Sequence, residues 1–104
     1  MEERLELKIA YKHMGSTPSI SEKINDKAAK LKKFFDGKIH VEWTCSVEAG
    51  IHHSEVTVTG DHGTFNASDS DDNLYKTFDG VIAKLEKQIT KKKEILKEKI
   101  HRRG

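Results

Sequence analysis

The chain of 104 residues has one cysteine, Cys45, so it can form no disulfide within itself. One proline and seven glycines are too few for a low-complexity, collagen-like or disordered chain. No apolar run reaches the length of a membrane helix. The opening MEERLELKIAYK, with acids at its front, reads as neither a signal peptide nor a transmembrane segment. There is no Gly-rich loop to cradle a phosphate, and no Ser-His-Asp or Cys-His arrangement is legible. Cys45 falls at an apolar position of a strand pattern, where a buried inert thiol is the default. Paired carboxylates occur only between Asp69 and Asp72, where helix capping is explanation enough. His52 and His53 adjoin on a strand and point to opposite faces, so with His62 they do not chelate easily. The reading is of a protein that is not an enzyme, with no catalytic residue, metal or cofactor. A lone cysteine and no targeting segment fit the cytoplasm.

What is abundant is charge. Charged residues make up 35% of the chain and hydrophobic residues another 35%, which demands one modest core under a densely charged surface. The net charge of +2 hides an asymmetry. From Lys84 to Gly104, nine Lys or Arg stand against three Glu, a net +6, so the other 83 residues carry −4. Such polarity points to nucleic acid or another anionic surface. A solubilising helix would look the same from composition alone.

The clearest helical pattern is LYKTFDGVIAKLEKQITKKK, Leu74 to Lys93. At about 100° per residue, Leu74, Phe78, Val81, Ile82, Leu85 and Ile89 fall on one stripe, with Lys84, Lys87 and Lys91 nearly opposite. Gly80 inside this helix suggests close packing. The basic end, about residues 94–104, is expected to run on as a helix past the body of the domain and to fray. Asp69, Asp71 and Asp72 precede the helix, where acids complement its positive N-terminus and an Asp can cap it. A second helix starts at Thr17-Pro18, an N-cap followed by Pro at the first position; Ser19-x-x-Glu22 offers an alternative capping box. It carries Ile20, Ile24, Ala28, Leu31 and Phe35 on one face. Lys23, Lys30 and Lys33 project away, with Lys27 on the flank. Asp36-Gly37 is expected to end it, Gly37 taking a left-handed cap.

Strands alternate with period two. Leu5, Leu7, Ile9 and Tyr11 face inward on the first. On the second, Ile39 to Ala49, the inward residues are Ile39, Val41, Trp43, Cys45, Val47 and Ala49. Val56 and Val58 do so on His52–Thr59, and Phe65 and Ala67 on a short Thr64–Ser68 strand. Gly50 and Asp61-His62-Gly63 mark turns. The order is β-α-β-β-β-α. A right-handed crossover makes the first two strands parallel neighbours, and hairpins add the others. The fold class is therefore α+β: one domain over residues 1–104, a four-stranded mixed sheet with two helices packed on one face, and the other face wet. Both helices then turn their lysine rows away from the same sheet face.

Taken together, these blocks resemble the family of ribosome hibernation-promoting factors and ribosome-associated inhibitor A. NLYKTFDGVIAKLEKQITKKK is close to the family's D-M-Y-x-A-I-D-x-L-I-x-K-L-x-R-Q-L-x-K helix, DKAAKLKKFFD to its first helix, and GTFNASDSDDNLY to its last strand and turn. The resemblance spans about Leu5 to Leu96. It implies binding in the mRNA–tRNA channel of the small ribosomal subunit, near the decoding centre, with basic helical residues on ribosomal RNA, silencing idle ribosomes under stress or in stationary phase. Carried over by position, the RNA contacts fall on Lys27, Lys30 and Lys33, and on Lys84, Lys87, Lys91 and Lys93. The sequence departs from the pattern at Asn73, usually Asp, at Lys87, often Arg, and at Ser16, usually apolar. A Lys lacks the bidentate fork of Arg. With neither an acidic tail nor an extra C-terminal domain after Gly104, the resemblance is to the short type: a monomer when free, without a membrane partner, and relying on a separate factor wherever ribosomes are paired.

Two other readings compete. A double-stranded RNA-binding domain embeds the same α-β-β-β-α order, but it reads phosphate with lysines at the start of its last helix, where this chain has Asp69, Asp71 and Asp72. A protein-interaction module would use the wet sheet face or the edge of the last strand.

Overall fold

The computed structural model describes the backbone of residues 5–61 and 63–102, and side chains up to Ile95. Strand β1 (Leu5–Lys12) pairs in parallel with β2 (Ile39–Glu48); β2 pairs antiparallel with β3 (Ile51–Gly60), and β3 with β4 (Gly63–Asp71). The sheet order is β1-β2-β3-β4. Helices α1 (Pro18–Ala29) and α2 (Leu74–Arg102) lie on one face, as the sequence order demands. The register places Val41, Val58 and Phe65 in one inward row and Trp43, Val56 and Ala67 in the next. On the opposite face Lys8, Glu42, Thr57 and Asn66 stand in line, facing water.

The apolar stripe of α2 is buried along its length, from Leu74 to Ile89. At its centre the Trp43 and Phe78 rings meet edge to face, 5.4 Å between centroids. A buried polar chain runs beside them. The Trp43 indole N–H donates to Ser54 Oγ (3.4 Å), Ser54 Oγ and Thr77 Oγ1 share a hydrogen bond of 2.7 Å, and Thr77 Oγ1 donates to the Leu74 carbonyl (2.5 Å). Ser54 and Thr77 are wholly buried, and their pairing removes the penalty of an unsatisfied hydroxyl. On β1, Leu7 and Ile9 are only half-buried, since this strand lies at the edge of the sheet and packs under α1.

Thr17 caps α1 as its sequence predicts: its Oγ1 accepts the Ile20 N–H at 3.2 Å, and Pro18 opens the helix. The far end differs from expectation. The α-helix stops at Ala29, a 3₁₀ turn covers Lys30–Phe34, and Phe35 leaves in extended conformation, φ −130°. Gly37 takes no left-handed φ. The cause lies in Phe35. Its ring packs edge-on against Phe65 at 6.2 Å and lies over Gly60, where a Cβ would come within 2.5 Å of it. Tightening the last turn delivers that ring to the sheet.

Three other boundaries moved. Ala49 is not an inward strand residue but the first turn residue of the β2–β3 hairpin, with φ 51°, followed by Gly50 at φ 79°. Two positive φ values match the right-handed twist of the flanking strands. Strand β4 runs on to Asp71, beyond the expected Ser68. Helix α2 is capped by Asn73 rather than an Asp: Asn73 Oδ1 accepts the Tyr75 N–H at 2.9 Å, while Asp71 Oδ1 accepts the Asn73 N–H at 3.0 Å. Gly80 is where close packing was expected. A Cβ there would lie 2.0 Å from the Asp69 carboxylate, which rests on the helix backbone.

Two stability measurements test this account. Trp43→Ala should cost about 3–5 kcal/mol in denaturant unfolding, since it empties the centre of the core and leaves Ser54 with one partner fewer. Ala49→Gly should raise the thermal midpoint, because an L-residue in the left-handed region costs about 1 kcal/mol that glycine avoids. An unchanged or lowered midpoint would mean that the hairpin carries no such strain.

Candidate nucleic-acid interface

The lysines singled out by sequence divide into two groups. Three are engaged with the protein itself. Lys27 reaches from α1 to Asp79 on α2, Nζ to Oδ1 2.6 Å, with its side chain only 19% exposed. The hydrogen bond from Lys27 holds the Asp79 carboxyl below its ordinary pKa, and the positive fields of Lys27, Lys30 and Lys23 add to the effect. Lys84 donates to the Ser68 carbonyl on β4 (2.6 Å) and contacts Asp69 Oδ1 (3.3 Å). Lys93 donates to the Phe34 carbonyl at 3.0 Å, tying α2 to the 3₁₀ turn. Each of these ammonium groups satisfies a carboxylate or a carbonyl at a strand edge or helix end and joins two elements.

The other four face water. Lys30, Lys33, Lys87 and Lys91 are exposed, and among the described residues none has an ion-pair partner. Lys33 Nζ lies 5.3 Å from the Phe34 ring centroid, a cation–π contact. Lys87 and Lys91 flank a groove that Phe34 also lines, so Lys33 of the 3₁₀ turn and these two lysines of α2 meet at that aromatic side chain. The adjacency expected from topology is therefore present, but in a narrower set of free charges than the spacing gave.

Sequence reasoning missed the β4 edge. Gln88 Nε2 donates to the Asn66 carbonyl at 2.9 Å, one turn beyond the Lys84–Ser68 bond. Lys84 and Gln88 thus occupy edge carbonyls of the outermost strand, one recognised way to blunt a sheet edge. The i, i+4 spacing of two long polar side chains beside the apolar stripe was the available signal. Lys92, over the Phe65 ring at 5.7 Å, was missed as well.

Elsewhere the chemistry is sparse. His53 shares a 2.7 Å hydrogen bond with Ser70 on the wet face, while His52 pairs in register with Val47 and Asp71 on the other face. Among the described residues, no three His, Cys, Asp or Glu side chains gather as metal ligands would; His62 lies outside them. Burial pushes the Cys45 thiol up to about 11, so it stays protonated and unreactive near neutral pH. No helix among the described residues is long and apolar enough to cross a membrane.

Residues 7–97 match the family model described as sigma 54 modulation protein / S30EA ribosomal protein. The chain belongs to that family. The ribosome hibernation promoting factor of Escherichia coli K12 is 33% identical over 94 residues, covering 90% of this chain and 99% of the relative. The protein of that name from Klebsiella oxytoca is 30% identical over the same share of both chains. Among solved structures, the N-terminal domain of Thermus thermophilus Protein Y superposes with a TM-score of 0.77 at 23% identity, covering 81% of this chain and 93% of that one. A ribosomal subunit interface protein from Coxiella burnetii gives 0.72 at 22%, covering 86% and 98%. At such identities the superpositions establish the common fold. Family membership rests on the sequence matches.

The Lys27–Asp79 bridge yields a pH prediction. A carboxyl with a lowered folded pKa contributes stability above its unfolded value, near 3.9, and loses it as pH falls through the folded value. The difference in thermal midpoint between the parent and Asp79→Asn should therefore be open at neutral pH and close below about pH 4. A difference that persists in acid would show that Asp79 acts by something other than its charge.

Proposed function

We propose that this protein binds the ribosome and holds it idle by occupancy, without turnover. Its site would be the mRNA–tRNA channel of the small subunit, with α1, the following 3₁₀ turn and α2 against ribosomal RNA. The family and the names of the curated relatives support the ribosome as partner. The observation that carries the RNA-facing surface is the meeting of Lys33, Lys87 and Lys91 at Phe34, with Lys30 exposed on the same 3₁₀ turn; among the described residues none of the four has an ion-pair partner. Lys27, Lys84 and Lys93 would act mainly by holding that surface in shape. The function is exercised in the cytoplasm, where ribosomes are.

The competing readings have less behind them. The start of α2 presents Asp71 and Asp72 beside its Asn73 cap, which disfavours phosphate at the position where a double-stranded RNA-binding domain needs lysine. The β4 edge, the one on which the protein-interaction reading relied, has its Asn66 and Ser68 carbonyls occupied by α2.

Binding should be steeply salt-dependent. Six phosphate contacts would lower affinity roughly a thousandfold between about 50 and 200 mM salt; the four free lysines imply a fall of roughly a hundredfold. Lys87→Glu with Lys91→Glu should abolish co-sedimentation with small subunits in a sucrose gradient while leaving the thermal midpoint unchanged. Lys30→Glu with Lys33→Glu should do the same, and Lys8→Glu with Lys12→Glu on β1 should not. Normal binding by both helical pairs would place the working surface elsewhere. Inhibition of translation should saturate near one copy per ribosome and be opposed by excess mRNA and tRNA. Inhibition at far lower ratios would indicate an enzyme instead. With purified ribosomes, this protein alone should give blocked single particles, and efficient pairing would overturn the need for a separate dimerising factor.

A further inference from the structure

We infer that the groove around Phe34 is a seat for one unpaired nucleobase. The inference rests on the RNA-binding reading above and adds a base contact to its phosphate contacts.

The tandem Phe34-Phe35 splits its rings. Phe35 is sunk in the core, 3% exposed, whereas Phe34 is half-buried and lines a groove of about 580 Å³ between the 3₁₀ turn and α2. Phe34 is also held in place. The Lys93 ammonium fixes its carbonyl, and Lys33 stands over its ring. A half-buried aromatic side chain that packs partly against the core, is fixed at its backbone and lines a groove with Lys87 and Lys91 has the makings of a stacking platform for single-stranded nucleic acid.

The charges lining the groove separate base from phosphate. Lys87 and Lys91 lie along it, but so do Glu86 and Glu94. Those carboxylates repel a phosphate inside the groove and accept hydrogen bonds from the amino group of a base. A backbone tracked by the lysines, with one base turned in onto Phe34, satisfies both signs of charge. Thr90, also on the groove wall, supplies a further donor or acceptor. A duplex cannot use this seat without unpairing a base.

The test compares the full-length parent with Phe34→Leu, Phe34→Trp and the pair Lys87→Gln, Lys91→Gln. Probes are oligo(A), an RNA duplex of equal length, and purified small ribosomal subunits, each over a range of salt. Stacking is worth about 1–3 kcal/mol per base, so Phe34→Leu should weaken oligo(A) binding roughly 5- to 150-fold. It should leave the slope of log affinity against log salt unchanged, and leave duplex binding alone. The Lys pair should lower that slope with both RNAs. Phe34→Trp should keep its affinity, and oligo(A) should quench the added emission, read against Trp43 in the parent. If Phe34→Leu binds like the parent, or changes the salt slope, the base seat is wrong and the RNA-binding reading stands. A parent that binds subunits but ignores oligo(A) at low salt overturns it too. If neither the Lys pair nor salt affects subunit binding, the RNA-binding reading itself falls, and the base seat with it.

Discussion

The burial of one helical stripe governs the placement of the free cations of α2. Leu74, Phe78, Val81, Ile82, Leu85 and Ile89 lie against the sheet, each worth about 1.5–3 kcal/mol when removed from water. A helix has a single rotation about its axis. Once these side chains point down, Lys87 and Lys91 must point up. The Trp43–Phe78 contact and the Ser54–Thr77 bond then fix the helix along its length as well as its rotation. A slip of one turn along the sheet would break both. The cationic face of α2 is thus a by-product of core packing, which fixes the direction in which each lysine leaves the helix.

A lysine row in a sequence says where Cβ atoms point, but not what their ammonium groups touch. Each side chain spans about four methylenes, enough to reach across to a neighbouring element. Lys27, Lys84 and Lys93 do so, because α1 stands close to α2, the β4 edge offers unpaired carbonyls, and the 3₁₀ turn ends in one. The division into struts and free charges is a tertiary fact. It matters for mutagenesis: Lys27→Glu would set a carboxylate against Asp79 and disturb the interhelical contact along with any RNA contact.

The same distinction explains what could be read from the sequence. Periodicities of two and 3.6 were enough for the strand order, the parallel first pair, the shared helical face and nearly all of the core. The Thr17-Pro18 cap was legible because its chemistry is local. The misses arose where distant residues decide. The helix before Phe35 tightens because Phe65 and Gly60 receive that ring from another hairpin. Ala49 bends back because the β2–β3 register closes on two residues, although alanine has no preference for that conformation. Strand β4 outlasts its apolar alternation because β3 continues beside it, carrying Asp69 and Asp71 into the ladder. The family likeness pointed to the lysines, but by position alone it could not separate those that bind their own protein from those left exposed.

The occupied carbonyls of β4 bear on how the molecule behaves at high concentration. A sheet grows by adding strands at an open side, and unlimited growth needs two open sides per molecule. Here α2 lays Lys84 and Gln88 across one side, while among the described residues no side chain bonds the outer side of β1. Joining through β1 uses up the open side of both participants. Edge-to-edge addition through β1 therefore joins two molecules, and further growth has to displace Lys84 and Gln88 from β4.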